Sequence, residues 1–238
     1  MARVVRALRC SRLLLEPGPP RRARVLARHS RSLLLEREAE GRFAWLLAPG
    51  LSLTPRSCTC LLDELALQLG DEVELELDGA ELWDPSWRPR ADGRLALPAP
   101  RPLSAAVQRR VDELGAGPPD PARIAALLGL GEGSTPEGDD VLLGLRSAWQ
   151  LRRHLGDDVP LARLNELLDA ATAAQTHPLS LAGLRDARAG LYPEALGRSL
   201  DALGGLGELR SALEELAALG GSSGRAIWWG LWRGWSWP

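Results

Sequence analysis

The residues best placed to do chemistry crowd between Gly129 and Gly144, which read GLGEGSTPEGDDVLLG. Gly129, Gly131, Gly133 and Gly138 let backbone N–H groups come close to a ligand. Ser134 and Thr135 add hydroxyls, and Glu137, Asp139 and Asp140 add carboxylates. Thr135-Pro136-Glu137 is a helix start: Thr135 can cap, Pro136 suits the first turn, and acids complement the positive end of the helix dipole. A helix start after a glycine-rich turn is a ready anion site. A purely structural reading explains the turn and the cap. It does not explain the excess, because one cap needs one oxygen. The acids fit a bare anion poorly. They fit better where a cation joins the anion, or where an acid accepts a hydrogen bond from an amide or ammonium group of the ligand. Adjacent Asp139 and Asp140 project about 100° apart on a helix. One can face the ligand while the other caps or pairs with Arg146.

A second stretch of the same kind is Gly220-Gly221-Ser222-Ser223-Gly224-Arg225-Ala226. Read structurally, it joins two helices and Ser223 caps the second. Read as a site, it is another oxyanion cradle: hydroxyls, free N–H groups and a guanidinium that can hold a carboxylate or phosphate in a bidentate grip. Two such starts could face each other across a single pocket.

The spacing GLGxGxTPxGDDxLxG resembles the signature of the AllH-like family, named after a subunit assigned to oxamate carbamoyltransferase in bacterial allantoin catabolism. Thr176-His177-Pro178-Leu179-Ser180, followed by Leu184, Ala187 and Gly190, is similar to that family's helix start before an LxxAxxG segment. Ser222-Ser223-Gly224-Arg225 resembles its C-terminal TSG turn, and the N-terminal region with Pro55 and Asp84-Pro85-Ser86-Trp87 is similar more loosely. The chain departs at Glu132, Ser134, Glu137 and Ser222, where the family more often has proline, leucine, a small polar residue and threonine. These changes put acid and hydroxyl into the loops.

The resemblance implies transfer of a carbamoyl group between carbamoyl phosphate and oxamate; catabolically, oxalurate and phosphate would give oxamate and carbamoyl phosphate. It implies Asp139 and Asp140 as catalytic residues, one of which could hold the amide of oxamate or the carbamoyl NH₂. It implies substrate contacts from Gly131, Gly133, Ser134, Thr135, Gly138, Thr176, Ser180, Ser222, Ser223, Gly224 and Arg225. It also implies partner subunits, one of them FdrA-like, and no required cofactor. The rival readings are a non-catalytic metabolite-binding or scaffold subunit, and a magnesium-dependent phosphotransferase or hydrolase with Glu137, Asp139 and Asp140 as metal ligands.

The elements that must position these residues fall into two halves. Residues 1–100 read as β: Arg24 to His29, Ser32 to Glu36, Arg42 to Leu47, Ser57 to Leu62 and the alternating Glu72 to Leu77. Turn residues separate them at Glu40-Gly41, Pro49-Gly50, Asp78-Gly79 and Asp92-Gly93, and Leu62 to Leu69 reads as a short helix. The expectation is a small antiparallel barrel or sandwich. Pro98, Pro100 and Pro102 mark a boundary, after which apolar residues recur with helical spacing. Helices are predicted over Ser104–Leu114, Arg123–Leu128 behind an Asp120 cap, Asp139–Leu155, Pro160–Ala173, Leu179–Ala189, Pro193–Leu203, Leu206–Leu219 and Gly224–Trp235. The fold class expected is therefore α+β, with a β-rich domain at 1–100 and a helical domain at 101–238.

Composition narrows the chemistry. The chain has 238 residues and a net charge of -2, so nothing draws it toward nucleic acid or a membrane surface. It contains no lysine, which excludes a Schiff-base enzyme, a P-loop NTPase and a protein kinase. Its basic residues are all arginine, in keeping with a GC-rich genome. The Arg-rich N-terminus superficially resembles a transit peptide, but Pro17, Gly18, Pro19 and Pro20 interrupt it, and a cytoplasmic bacterial protein is the simpler reading. Cys10, Cys58 and Cys60 read as apolar packing, and His29, His154 and His177 are scattered. Trp228, Trp229, Trp232, Trp235 and Trp237 crowd the last turns, where a stripe of them is expected to pack on the core.

Overall fold

A computed structural model describes residues 2–14, 22–37, 42–89, 94–114 and 120–237. The prolines at 17, 19 and 20 and the Glu40-Gly41 and Asp92-Gly93 turns lie outside the described residues. The chain divides into two compact units, Met1–Ser86 with Tyr192–Glu194, and Trp87–Leu191 with Ala195–Pro238.

The first unit is one mixed sheet. Its strands are β1 (Arg3–Arg6), β2 (Arg9–Ser11), β3 (Arg22–Arg28), β4 (Ser32–Arg37), β5 (Arg42–Leu47), β6 (Ser57–Thr59), β7 (Glu72–Glu76) and β8 (Glu81–Trp83). Alternation decides the inward face, as in β7, where Val73 and Leu75 are buried between exposed glutamates. The strand order is β1-β7-β3-β4-β5-β6-β2-β8. Among the described residues the end strands do not pair with each other, so the sheet is open and not the expected antiparallel barrel. Nor is it wholly antiparallel: β1 runs parallel to β7, β5 to β6 and β2 to β8. Turn residues fix only neighbours joined by a short hairpin, such as β3 and β4. Two of the parallel pairs, β1 with β7 and β2 with β8, join segments far apart in the chain, which local patterning cannot see. Leu62–Ala66 is a short 3-10 turn.

The three cysteines form no disulfide and are fully buried in the core of this sheet, Cys10 directly opposite Cys58. Burial pushes the Cys60 thiol up to about 12 and Cys58 higher still. Both are therefore packing groups.

The second unit holds the helices: α1 (Ala105–Glu113), α2 (Pro121–Ala125), α3 (Glu137–His154), α4 (Leu161–Ala170), α5 (Pro178–Arg188), α6 (Glu194–Leu203, its first residue belonging to the sheet unit), α7 (Leu209–Ala217) and α8 (Ser223–Trp235). Asp120 caps α2 as expected, accepting from the Ala122 N–H at 2.9 Å. Helix α3 is buried along nearly its whole length, as a central helix must be. It packs chiefly on α8.

That contact is made by glycine. A Cβ on Gly144 would lie 2.0 Å from the Ile227 carbonyl oxygen, and one on Gly230 would lie 2.0 Å from that of Val141. Gly234 approaches Ala148 in the same way. Positions rise together along both helices, so α3 and α8 run parallel and their starts lie side by side. At the far end, Arg152 of α3 donates to the carbonyls of Gly234 and Trp237, closing the C-terminal end of α8. Arg152 and Arg94 both grip Asp157, which holds its carboxyl down at about 2; the Arg94 hydrogen bond is the largest cause.

Candidate functional site at two helix starts

The starts of α3 and α8 are built alike. Each begins with a glycine whose N–H donates to a leucine carbonyl left over from the preceding turn: Gly138 to Leu130 at 2.8 Å, and Gly224 to Leu219 at 2.9 Å. Each glycine also presses on a second carbonyl one turn earlier, that of Leu127 or Leu216, with no room for a Cβ. Neither start uses the side-chain cap that its sequence offers. Pro136 and Ser222 occupy the cap positions without a side-chain bond, and the Gly138 and Gly224 N–H groups go to leucine carbonyls instead.

The hydroxyls are thereby left for each other. Thr135 Oγ1 lies 3.2 Å from Ser223 Oγ, so the two glycine-rich stretches meet within the helical unit. Ser223 also hydrogen-bonds the Asp140 carboxyl. Either hydroxyl of the Thr135–Ser223 pair can be the donor.

The neighbouring aspartates differ sharply. Asp139 is buried and fully engaged. Its Oδ1 accepts from the Gly129 N–H at 2.8 Å; its Oδ2 accepts from Ser180 Oγ at 2.6 Å and from Thr176 Oγ1. It ties the glycine loop to the start of α5. Asp140 is 8% exposed, and its Oδ2 has no partner among the described residues. Burial pushes its carboxyl up to about 8; the Ser223 hydrogen bond pulls the other way, and the charges of Asp139 and Glu137 add to the rise. Glu137 turns aside and accepts from the Ser104 N–H at 3.2 Å. Arg146 pairs with neither aspartate; it donates to Asn165 and Gln150.

Of the residues expected to bind substrate, Thr135 and Ser223 come together beside Asp140. Thr176 and Ser180 are buried under Asp139. Gly138 and Gly224 are anchoring points, Gly131 and Gly133 form exposed turns, and Ser134 and Ser222 are half-buried beside them. Arg225 is exposed in the first turn of α8. The N–H groups of Ser223 and Arg225 have no acceptor among the described residues.

The model of a family described as oxamate carbamoyltransferase subunit AllH matches residues 127–235. Over that span the chain is similar to the AllH family. The matched span runs from the Leu127 carbonyl under Gly138 to the last residue of α8, so it contains both helix starts and Asp140. No curated protein and no solved structure matches the chain. No helix among the described residues is long and apolar enough to cross a membrane. Among the same residues, no three or more His, Cys, Asp or Glu side chains are grouped to hold a metal ion.

Sequence reasoning missed two features around this site. The glycines that seat α3 on α8 were legible only as small residues four apart, Gly230 and Gly234 facing Gly144 and Ala148. The tail tryptophans do not form the expected core stripe: Trp228, Trp229, Trp232 and Trp235 are half-buried, and of the five Trp237 alone is buried. The indole N–H groups of Trp235, Trp228 and Trp229 donate to the carbonyls of Leu95, Pro98 and Arg101. The proline-rich stretch is therefore strapped along α8, and Ser104, at its far end, meets Glu137.

Proposed function

We propose that the paired starts of α3 and α8 bind a small oxyanion, and that the chain serves as a subunit of a carbamoyltransferase. The substrates would be oxamate or oxalurate with carbamoyl phosphate or phosphate. The observation that carries this reading is the contact between Thr135 and Ser223, which sets two helix N-termini beside one another. Two adjacent positive ends, open N–H groups at Ser223 and Arg225, and a guanidinium at the rim suit a phosphate or carboxylate. The acids, which sit awkwardly beside an anion in the sequence, are withdrawn from it: Glu137 by Ser104, and Asp139 by three donors.

Transfer of a carbamoyl group needs the two substrates aligned and the departing phosphate stabilised, and fixed dipoles with a guanidinium supply both. The FdrA-like partner subunits would complete the enzyme. The magnesium reading draws no support from three carboxylates that point to different partners.

Thermal unfolding of the purified chain tests this with carbamoyl phosphate, oxamate, phosphate, ATP and Mg²⁺, alone and paired. At a hundred times its Kd, a ligand should add about 2.7 kcal/mol, roughly 5–10 °C in Tm for a chain of this size. Stabilisation by carbamoyl phosphate or oxamate that is lost in Arg225→Ala and Ser223→Ala is the expected result. A well-folded chain stabilised by none of them would be a scaffold subunit instead, and one stabilised by Mg²⁺ alone would favour the metal enzyme.

A further inference from the structure

Asp140 poses a problem that the anion site does not solve by itself. A carboxylate beside an oxyanion repels it, yet Asp140 stands at the junction of the two helix starts. The geometry shows how the conflict is avoided. Its carboxyl is more than nine-tenths buried, the Ser223 hydroxyl stands beside it, and Oδ2 is without a partner among the described residues. A buried polar atom with no partner is rare in a folded protein and calls for one. The charged groups that face it are Asp139 and Glu137, both on its own helix and both acidic. From α8 it meets the Ser223 hydroxyl, and from the preceding loop Thr135 stands behind Ser223. Arg225, the nearest cation in sequence on α8, is exposed to solvent. Among the described residues no buried cation compensates an ionised Asp140 there.

We propose that Asp140 is a proton-bearing specificity residue: as a neutral acid it donates from Oδ2 to the bound oxyanion, so that oxyanion binding requires its proton. This rests on the oxyanion reading of the site. Thr135 donates to Ser223, Ser223 to the first carboxyl oxygen, and the second carboxyl oxygen to the ligand. Every group in the row is then satisfied, and no carboxylate charge faces the anion. The ordinary range of an aspartic acid would leave no such donor at neutral pH, whereas burial has carried this one up to about 8. The ligand class follows. It is a small anion with an acceptor oxygen turned toward α3, whether the oxygen belongs to a phosphoryl or a carboxylate group.

The test is calorimetric binding of sulfate and of oxamate to the full chain between pH 6 and pH 9, neither probe titrating in that range. Wild-type affinity should be flat at low pH and fall about tenfold per pH unit once Asp140 ionises, above about 8. Asp140→Asn keeps an N–H donor at that position and cannot ionise. It should bind both probes with affinity within about threefold of the wild type at pH 6, and show no such fall at pH 9. Asp140→Leu, which offers no donor, should lose at least tenfold at pH 6. Two results would overturn the proposal alone: binding that is independent of pH in the wild type, or binding that strengthens with pH and is lost in Asp140→Asn, which would make Asp140 an acceptor for a ligand N–H. If neither probe, nor carbamoyl phosphate, binds at any pH, the oxyanion reading fails first and the proposal falls with it.

Discussion

The starts of α3 and α8 share one anchoring device and put it to different uses. Both seat a glycine N–H on a leucine carbonyl, and both are fed by a glycine-rich turn. At α3 the turn is longer and acidic. Its carboxylates are directed into the protein, Asp139 onto Gly129, Thr176 and Ser180, and Glu137 onto Ser104. The Asp139 and Asp140 N–H groups both reach back to the Pro136 carbonyl. At α8 the turn is short and its donors stay open, with an arginine outside. The difference teaches that a glycine-rich helix start is not itself a ligand site. One of the pair is a clasp that holds the architecture, the other supplies the free donors, and Asp140 stands where they meet.

The seam that brings the starts together should give the largest effect when broken. Gly144→Ala or Gly230→Ala places a methyl group where a carbonyl oxygen lies 2.0 Å away. Each is expected to cost about 3 kcal/mol, roughly 6–12 °C in Tm by calorimetry, and to abolish oxyanion binding even where the fold survives.

The two aspartates separate next. Asp139→Ala leaves three donors without an acceptor and should destabilise by about 2–3 kcal/mol in urea titration. Asp140→Asn removes an unpartnered carboxyl and should be neutral or stabilising at pH 7. The sign of the pH dependence follows. A carboxyl raised to about 8 binds its proton more tightly in the folded chain, so it lowers stability as pH rises from about 4 to about 8, with no further change above. Asp140→Asn should remove that decline; a decline that persists in the variant would locate it elsewhere.

The opposite ends of the same two helices behave in the reverse sense. Asp157, held at about 2 by Arg94 and Arg152, contributes stability above the unfolded value near 4 and loses it as pH falls toward about 2. Asp157→Asn should cost about 2 kcal/mol at pH 7 and flatten that acid limb of the stability profile. The smallest change in stability is expected from Thr135→Ala, below about 1 kcal/mol, with a measurable loss of oxamate affinity as its signature.

Much of this was legible in the sequence because it is local. The eight helices stand where apolar spacing, Asp120 and the prolines put them, and both glycine-rich stretches do open helices. Strands β3, β4, β5 and β7 follow from alternation. What was illegible is what depends on distant partners. Strands β1, β2 and β8 are too short to show a pattern and are fixed by parallel or long-range pairing. That Asp139 is a clasp depends on Thr176 and Ser180, some forty residues on. That Ser223 answers Thr135 depends on 88 residues of intervening chain and on the glycine seam. The tryptophan stripe was visible, but its choice of backbone carbonyls in the proline-rich strap was not.

The claim that two helix starts form one oxyanion site is tested most directly by amide NMR of the full chain during titration with sulfate and then oxamate. The account predicts that the Ser223 and Arg225 N–H signals shift downfield together with those of Thr135 and Asp140, with a single shared Kd. Shifts confined to one start, or signals at both that stay still while others move, would contradict it.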